Sequence, residues 1–172
     1  GIAGKKAIIE MAAASGLPLL SSEERNPWIT STYGTGEMIM DAIQRGCRQF
    51  LVGIGGSATN DAGTGMLQAL GFKFFDFNGQ EITDCRGGRL QDIADLDDSC
   101  VPVAVREAEF IVACDVDTPF CGPEGAAPVF APQKGADAEM VEKLDAGMAS
   151  FAKVIENKYQ INIVPMAGAG AA

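Results

Sequence analysis

An apolar run, Phe50-Leu-Val-Gly-Ile54, passes directly into a glycine-rich stretch, Gly53 to Asn60, and then into a helical pattern. Upstream, Met38, Ile39, Ala42 and Ile43 recur on one helical face with Glu37, Asp41 and Arg45 opposite, and Gly46 supplies a helix stop. Downstream, the spacing predicts a second helix from about Asp61 to Leu70, ended by Gly71. Helix, strand, loop and helix in that order require parallel strands joined by crossovers. The expected fold class is therefore α/β, with a largely parallel or mixed sheet flanked by helices. A strand that is apolar at every position is expected to be buried on both faces.

The rest of the chain fits the same frame. Ala7 to Ala12 predicts a strand running into the small residues Ala13 to Gly16, and Leu17 to Pro27 connects it onward. Thr30 to Gly36 reads as a polar loop. Phe72 to Phe77 alternates and meets Asn78-Gly79, a strong turn signal, so a hairpin is expected over 72–83. Arg86 to Ser99 reads as loop and short helix, Glu109 to Cys114 as another buried strand, and Pro119 to Pro132 as irregular. Asp137 to Tyr159 is the longest helix, with Asp137 as N-cap and Met140, Leu144, Met148, Phe151 and Ile155 as its apolar stripe. Ile161 to Val164 is expected to form a last short strand.

Composition removes several function classes. With 13 basic and 23 acidic residues the formal net charge is −10, and no Lys/Arg cluster offers a nucleic-acid face or a patch for anionic membranes. No apolar run approaches the length of a transmembrane helix. The chain has no His, which removes Ser-His-Asp and Cys-His hydrolases. Its five cysteines form no Cys-x-x-Cys pair, so structural zinc and a disulfide framework are not expected, and a cytoplasmic location is. Both ends read as cut: the first residues lack an initiator Met, and Ala167 to Ala172 is a small-residue run with no closing element. Residues 1–172 are thus expected to be the central α/β region of a longer protein, and the missing remainder of the chain to be its partner.

The richest chemistry lies in Gly53-Ile-Gly-Gly-Ser-Ala-Thr-Asn-Asp-Ala-Gly-Thr-Gly65, with five glycines in thirteen residues. Side-chain-free backbone at a strand end can turn successive N–H groups onto an anion. Ser57, Thr59, Asn60 and Thr64 add neutral hydrogen-bonding groups, and Asp61 adds a carboxylate. The stretch is not a P-loop, because no Gly-Lys-Ser/Thr follows. It matches the loose dinucleotide pattern through Gly53, Gly55 and Ala58 with Asp76 downstream, which keeps an NAD-type dehydrogenase domain open. It is also compatible with a tight turn in a non-catalytic binding module. Thr35 lies in a second polar loop ahead of a helix. Asp115 and Asp117 close an apolar strand, where two carboxylates suit Mg²⁺ or serve as turn formers. Lys134 stands alone in a neutral Gly/Pro/Ala stretch.

Gly53 to Gly71 resembles the glycine-rich signature of bacterial glycerate kinases. The resemblance extends in order through Ile9 to Leu17, Asn26-Pro27, Thr32 to Glu37, Ala113-Cys-Asp-Val-Asp117, Phe130 to Ala136 and Ala167 to Ala172. It implies a two-domain fold, of which this chain is a part, and ATP-dependent phosphorylation of D-glycerate to phosphoglycerate with Mg²⁺. It also implies that segments before and after this one contribute to the site, so the isolated chain is expected to bind weakly and not turn over. One departure is Ala62, which stands where the family commonly has Gly. Within the matching segments, chemistry and position suggest roles. The Gly55, Gly56 and Ser57 backbone would hold a phosphate or the glycerate carboxylate, with Thr59, Asn60 and Thr35 as further binding groups. Asp61 would position or deprotonate the attacking hydroxyl. Lys134 would neutralise charge on the transferring group, and Asp115, less directly Asp117, would bind Mg²⁺.

Overall fold

The computed structural model describes residues 1–3 and 5–171. In chain order the elements are β1 (Ile2–Ala3), β2 (Lys6–Glu10), α1 (Ala12–Ser15), α2 (Tyr33–Gln44), β3 (Gln49–Gly53), α3 (Thr64–Ala69), β4 (Lys73–Phe75), β5 (Glu81–Ile82), β6 (Asp95–Asp97), α4 (Val103–Arg106), β7 (Glu109–Ala113), α5 (Ala126–Phe130) and α6 (Ala138–Tyr159), with four short 3₁₀ turns between them. The α/β class is as expected from the sequence. Two sheets share the work: β1-β2-β3-β7, in which β2, β3 and β7 run parallel and β1 antiparallel, and an antiparallel β5-β4-β6.

The parallel sheet and α2 form one core. Ile39, Ala42 and Ile43 lie on one face of α2 at helical spacing and are buried against Ala7, Ile9, Phe50 and Val52, which alternate along β2 and β3. Phe110 extends this face onto β7 by stacking on Phe50, with ring centroids 4.9 Å apart. The opposite face is bare. Ile8, Leu51 and Ile111 stand in register in one row and are 54%, 41% and 57% exposed. This corrects the expectation that the all-apolar strands are buried on both sides. Among the described residues, β7 is an outer strand exposed along its whole length.

The second core gathers the small sheet, α5 and α6. Leu144, Met148, Phe151 and Ala152 are buried on the inner face of α6, and each large apolar side chain buried this way contributes about 2 kcal/mol. Asp137 caps the helix by accepting from the Met140 amide at 2.8 Å. Asn78 and Gly79 turn β4 back into β5, and Gly79 adopts φ 74°.

Several local expectations fail for identifiable reasons. α2 begins at Tyr33, so the second half of the polar loop Thr30 to Gly36 is helix. α3 begins at Thr64 rather than Asp61, because Ala62 and Gly63 have φ 52° and 72° and cannot lie in a right-handed helix. Asp95-Leu-Asp97, too polar to read as a strand, pairs with β4 and buries Leu96 alone. Within Pro119 to Pro132, Ala126–Phe130 is helical, since Ala126 and Ala127 fit closely into the core. Ile161 to Val164 is not a strand. It finds no sheet edge, and the Val164 carbonyl accepts a single bond from the Phe120 amide at 3.3 Å. No helix among the described residues is long and apolar enough to cross a membrane.

Candidate active site

The glycine-rich loop leaves the C-terminal end of β3, where ligands of parallel α/β sheets bind. It is held by four of its carbonyls and by the Ala58 amide, which donates to the Ser15 carbonyl at 2.8 Å. Gly53 C=O accepts from the Met11 amide at 2.9 Å and Gly56 C=O from the Leu17 amide at 2.9 Å. Ala58 C=O accepts from the Thr30 hydroxyl at 2.7 Å, and Thr59 C=O from Lys134 Nζ at 2.5 Å. Other amides are left over: among the described residues, those of Gly55, Gly56 and Ser57 have no acceptor. Gly56 takes φ 72°, which favours glycine, and a side chain on Gly55 would meet nothing within 4 Å. Three consecutive amides without an acceptor among the described residues, at a loop lining a cavity, are the material of an anion nest.

Lys134 closes this nest from behind. It is 2% exposed, and its Nζ also donates to Ser57 Oγ at 2.8 Å. Burial lowers its pKa to about 8, against the opposing influence of the Asp61 charge. Its bonded partners are both neutral, so an anion in the nest would balance a cation that burial leaves under-compensated. Gly55, Gly56, Ser57, Lys134 and Asp115 line one cavity of about 160 Å³, joined by Cys114.

Asp61 sits behind the loop, 1% exposed. Its Oδ2 accepts from the Thr32 amide and the Thr32 hydroxyl, both at 2.8 Å, and from the Gly65 amide at 3.2 Å, while Oδ1 accepts only from the Gly63 amide at 3.2 Å. Burial raises its pKa, and these four bonds oppose the rise. The carboxylate thus ties the start of α2 to the start of α3. It also lines a largely apolar cavity of about 590 Å³ beneath the loop. Ala62 bears the cost of this turn. A left-handed L-residue is strained by about 1 kcal/mol or more, and glycine would carry no such strain here. Ala62→Gly is expected to raise the urea midpoint by about 1 kcal/mol equivalent with unchanged slope. An unchanged midpoint would show that this strain is not felt.

Other nominated residues lie elsewhere. Thr35 is inside α2, fully buried, with its hydroxyl 2.8 Å from Ser15 Oγ. Asn60 points into the second core, where Nδ2 meets Met148 Sδ at 3.1 Å. Thr59 reaches the site through its carbonyl. Asp117 is exposed and does not line the nest cavity. Asp76 belongs to the β4–β5 hairpin, where it accepts from the Asn78 and Gln80 amides, so the dinucleotide pattern is not assembled. Thr32, which also accepts from the Met66 amide at 2.8 Å, was not singled out from the sequence. Its position just before a helix was the signal available.

Among the described residues no three acidic, Cys or His side chains converge on a metal position. One carboxylate at the nest, Asp115, fits an ion such as Mg²⁺ that keeps most of its shell as water and phosphate oxygen.

Comparison with known proteins identifies the family. The model of the glycerate kinase family matches residues 1–172. The glycerate kinase of Halalkalibacterium halodurans is 47% identical over 174 residues, covering 100% of this chain and 46% of that protein. The glycerate 2-kinase of Escherichia coli K12 is 46% identical over 169 residues, covering 98% and 44%. A crystal structure assigned as glycerate kinase 2 of Salmonella typhimurium LT2 superposes with a TM-score of 0.93 at 43% identity, covering 98% of this chain and 45% of that one. The chain spans less than half the length of these relatives. Matched from end to end by the family model and closely superposed on a solved relative, the chain belongs to the glycerate kinase family.

Proposed function

We propose that the full-length protein transfers a phosphoryl group from ATP to D-glycerate, giving phosphoglycerate, and that this chain supplies the anion-holding half of its site. The observation that carries the reading is the row of three unspent amides, Gly55 to Ser57, at the end of β3 beside buried Lys134. Phosphoryl transfer needs positioning and charge stabilisation more than covalent chemistry, and this arrangement supplies both.

The nest holds a phosphate or the glycerate carboxylate, with the Ser57 hydroxyl as an added donor. Lys134 offsets negative charge as it develops. Asp61 orients the attacking hydroxyl and accepts its proton through Oδ1, the oxygen with a single bonded donor; a carboxylate raised by burial suits that task. Asp115 would hold Mg²⁺, which when bound neutralises phosphate charge, and exposed Asp117 is available to its water shell. The bare row Ile8, Leu51 and Ile111 and the exposed edge of β7 are where the rest of the protein packs.

The test is ADP release by the full-length protein. Release that requires D-glycerate is expected. Glycerate-dependent reduction of a nicotinamide cofactor without ADP would favour a dehydrogenase, and neither would favour a binding module. Calorimetry on the isolated residues is expected to show weak binding of ATP–Mg²⁺ or glycerate and no turnover, and turnover by these residues alone would overturn the division of the site.

A further inference from the structure

These 172 residues contain no histidine, but a serine can also be served by a lysine amine that takes its proton. The fold brings such a pair together across 77 residues: Ser57 Oγ lies 2.8 Å from Lys134 Nζ, within the reach expected of a nucleophile and its base. Both are sequestered, at 5% and 2% exposure. A third group orients the base, since Nζ donates to the Thr59 carbonyl. With one N–H committed there, a neutral amine turns its lone pair toward the Ser57 hydroxyl. The amides of Ser57 and of the two glycines preceding it have no acceptor among the described residues and are available as donors to an oxyanion. The adjoining cavity of about 160 Å³ has room for an acetyl-sized group.

We propose that Ser57 is a nucleophile with Lys134 as its base, and that it accepts an acyl group from small activated carboxylic esters. Ser57 Oγ attacks the ester carbonyl carbon as its proton passes to the neutral Lys134 amine. The tetrahedral oxyanion is held by the loop amides. The bond to the leaving aryloxide then breaks and the aryloxide departs as an anion. O-acyl-Ser57 remains, and the proton on Lys134 is lost to water. Burial leaves Lys134 with a pKa of about 8, so the neutral amine is well populated at mildly alkaline pH. The ionisable groups facing it are Asp61 behind the loop and Asp115 and Cys114 across the cavity. The proposal is independent of whether the protein phosphorylates glycerate.

The probe is p-nitrophenyl acetate with the full-length protein, read by p-nitrophenolate release and by peptide mass spectrometry. One acetyl group per chain is expected on Ser57, formed at a rate that rises through pH about 8 and then levels. Ser57→Ala removes the label. Lys134→Met and Lys134→Arg each slow acetylation of Ser57 by about 10²-fold or more, because neither offers a base. Arginine retains the cation and the donors, so a merely structural clamp would keep labelling in that variant. Acetyl on Lys134, on Cys114 or on scattered lysines with Ser57 unmodified overturns the proposal, as does undiminished labelling of Lys134→Arg. Where neither variant folds, the labelled position and the pH profile of the unaltered protein decide it alone.

Discussion

Lys134→Met in the full-length protein is expected to lower glycerate-dependent ADP release by at least about 10²-fold, mainly in kcat, a loss of the size seen when one preorganised donor is removed. Methionine fills similar space but offers neither charge nor donors. Ser57 Oγ and the Thr59 carbonyl lose their shared partner, and the nest loses its neighbouring cation. Stability separates this loss from unfolding. Folding lowers the Lys134 pKa from 10.5 to about 8. Between those values the unfolded chain holds more protons than the folded one, so stability rises with pH across that window and is lowest below it. The variant should lose that rise, visible as a flattened dependence of the urea midpoint on pH. A turnover loss under about tenfold would mean that Lys134 holds the loop without serving the reaction.

What could be read from the sequence follows from how far apart the interacting residues are. Asp137 as a cap, the Asn78-Gly79 turn and the stripe on α6 are decided within a few residues, so local pattern was enough. The nest was legible as composition, since few demands other than close backbone approach explain so many glycines at a strand end. Its working state was not. That Met11, Leu17, Thr30 and Lys134 anchor the loop while the amides of Gly55, Gly56 and Ser57 meet no acceptor among the described residues is a fact of tertiary packing. Thr32 lies 29 residues from the carboxylate it holds, and no spacing rule joins them. Thr35 and Asn60 read as ligand groups because polarity in a loop resembles polarity at a site; in the fold the Thr35 hydroxyl meets Ser15 and Asn60 Nδ2 meets Met148, while Asn60 Oδ1 is buried without a partner among the described residues. Strand β7 misled in the opposite direction. Its apolar residues specify a buried strand, and the cover they call for does not come from the described residues.

Asp61→Asn should cost turnover far more than stability, and that split distinguishes a chemical carboxylate from a structural one. Oδ2 accepts three bonds, so the amide oxygen of the variant must take that position to keep Thr32 and Gly65 satisfied. The amide nitrogen then replaces Oδ1 and faces the Gly63 N–H, two donors 3.2 Å apart in the present geometry. One orphaned amide costs about 1–3 kcal/mol. Against this, the variant no longer buries a charge. Because folding raises the Asp61 pKa, the unfolded chain ionises first as pH rises, and at neutral pH the buried carboxylate opposes folding. The two effects offset each other, and the urea midpoint should move by no more than about 1 kcal/mol equivalent at neutral pH. Turnover has no such compensation. If Oδ1 takes the glycerate proton, an amide cannot, and the rate should fall by about 10² to 10⁴. Thr32→Val supplies the contrast: it keeps the carboxylate but removes its hydroxyl donor and the acceptor for the Met66 amide. It should therefore lower stability by about 1–3 kcal/mol while turnover stays within about tenfold. If the pattern were inverted, with Asp61→Asn unstable but active, the carboxylate would be no more than the tie between α2 and α3.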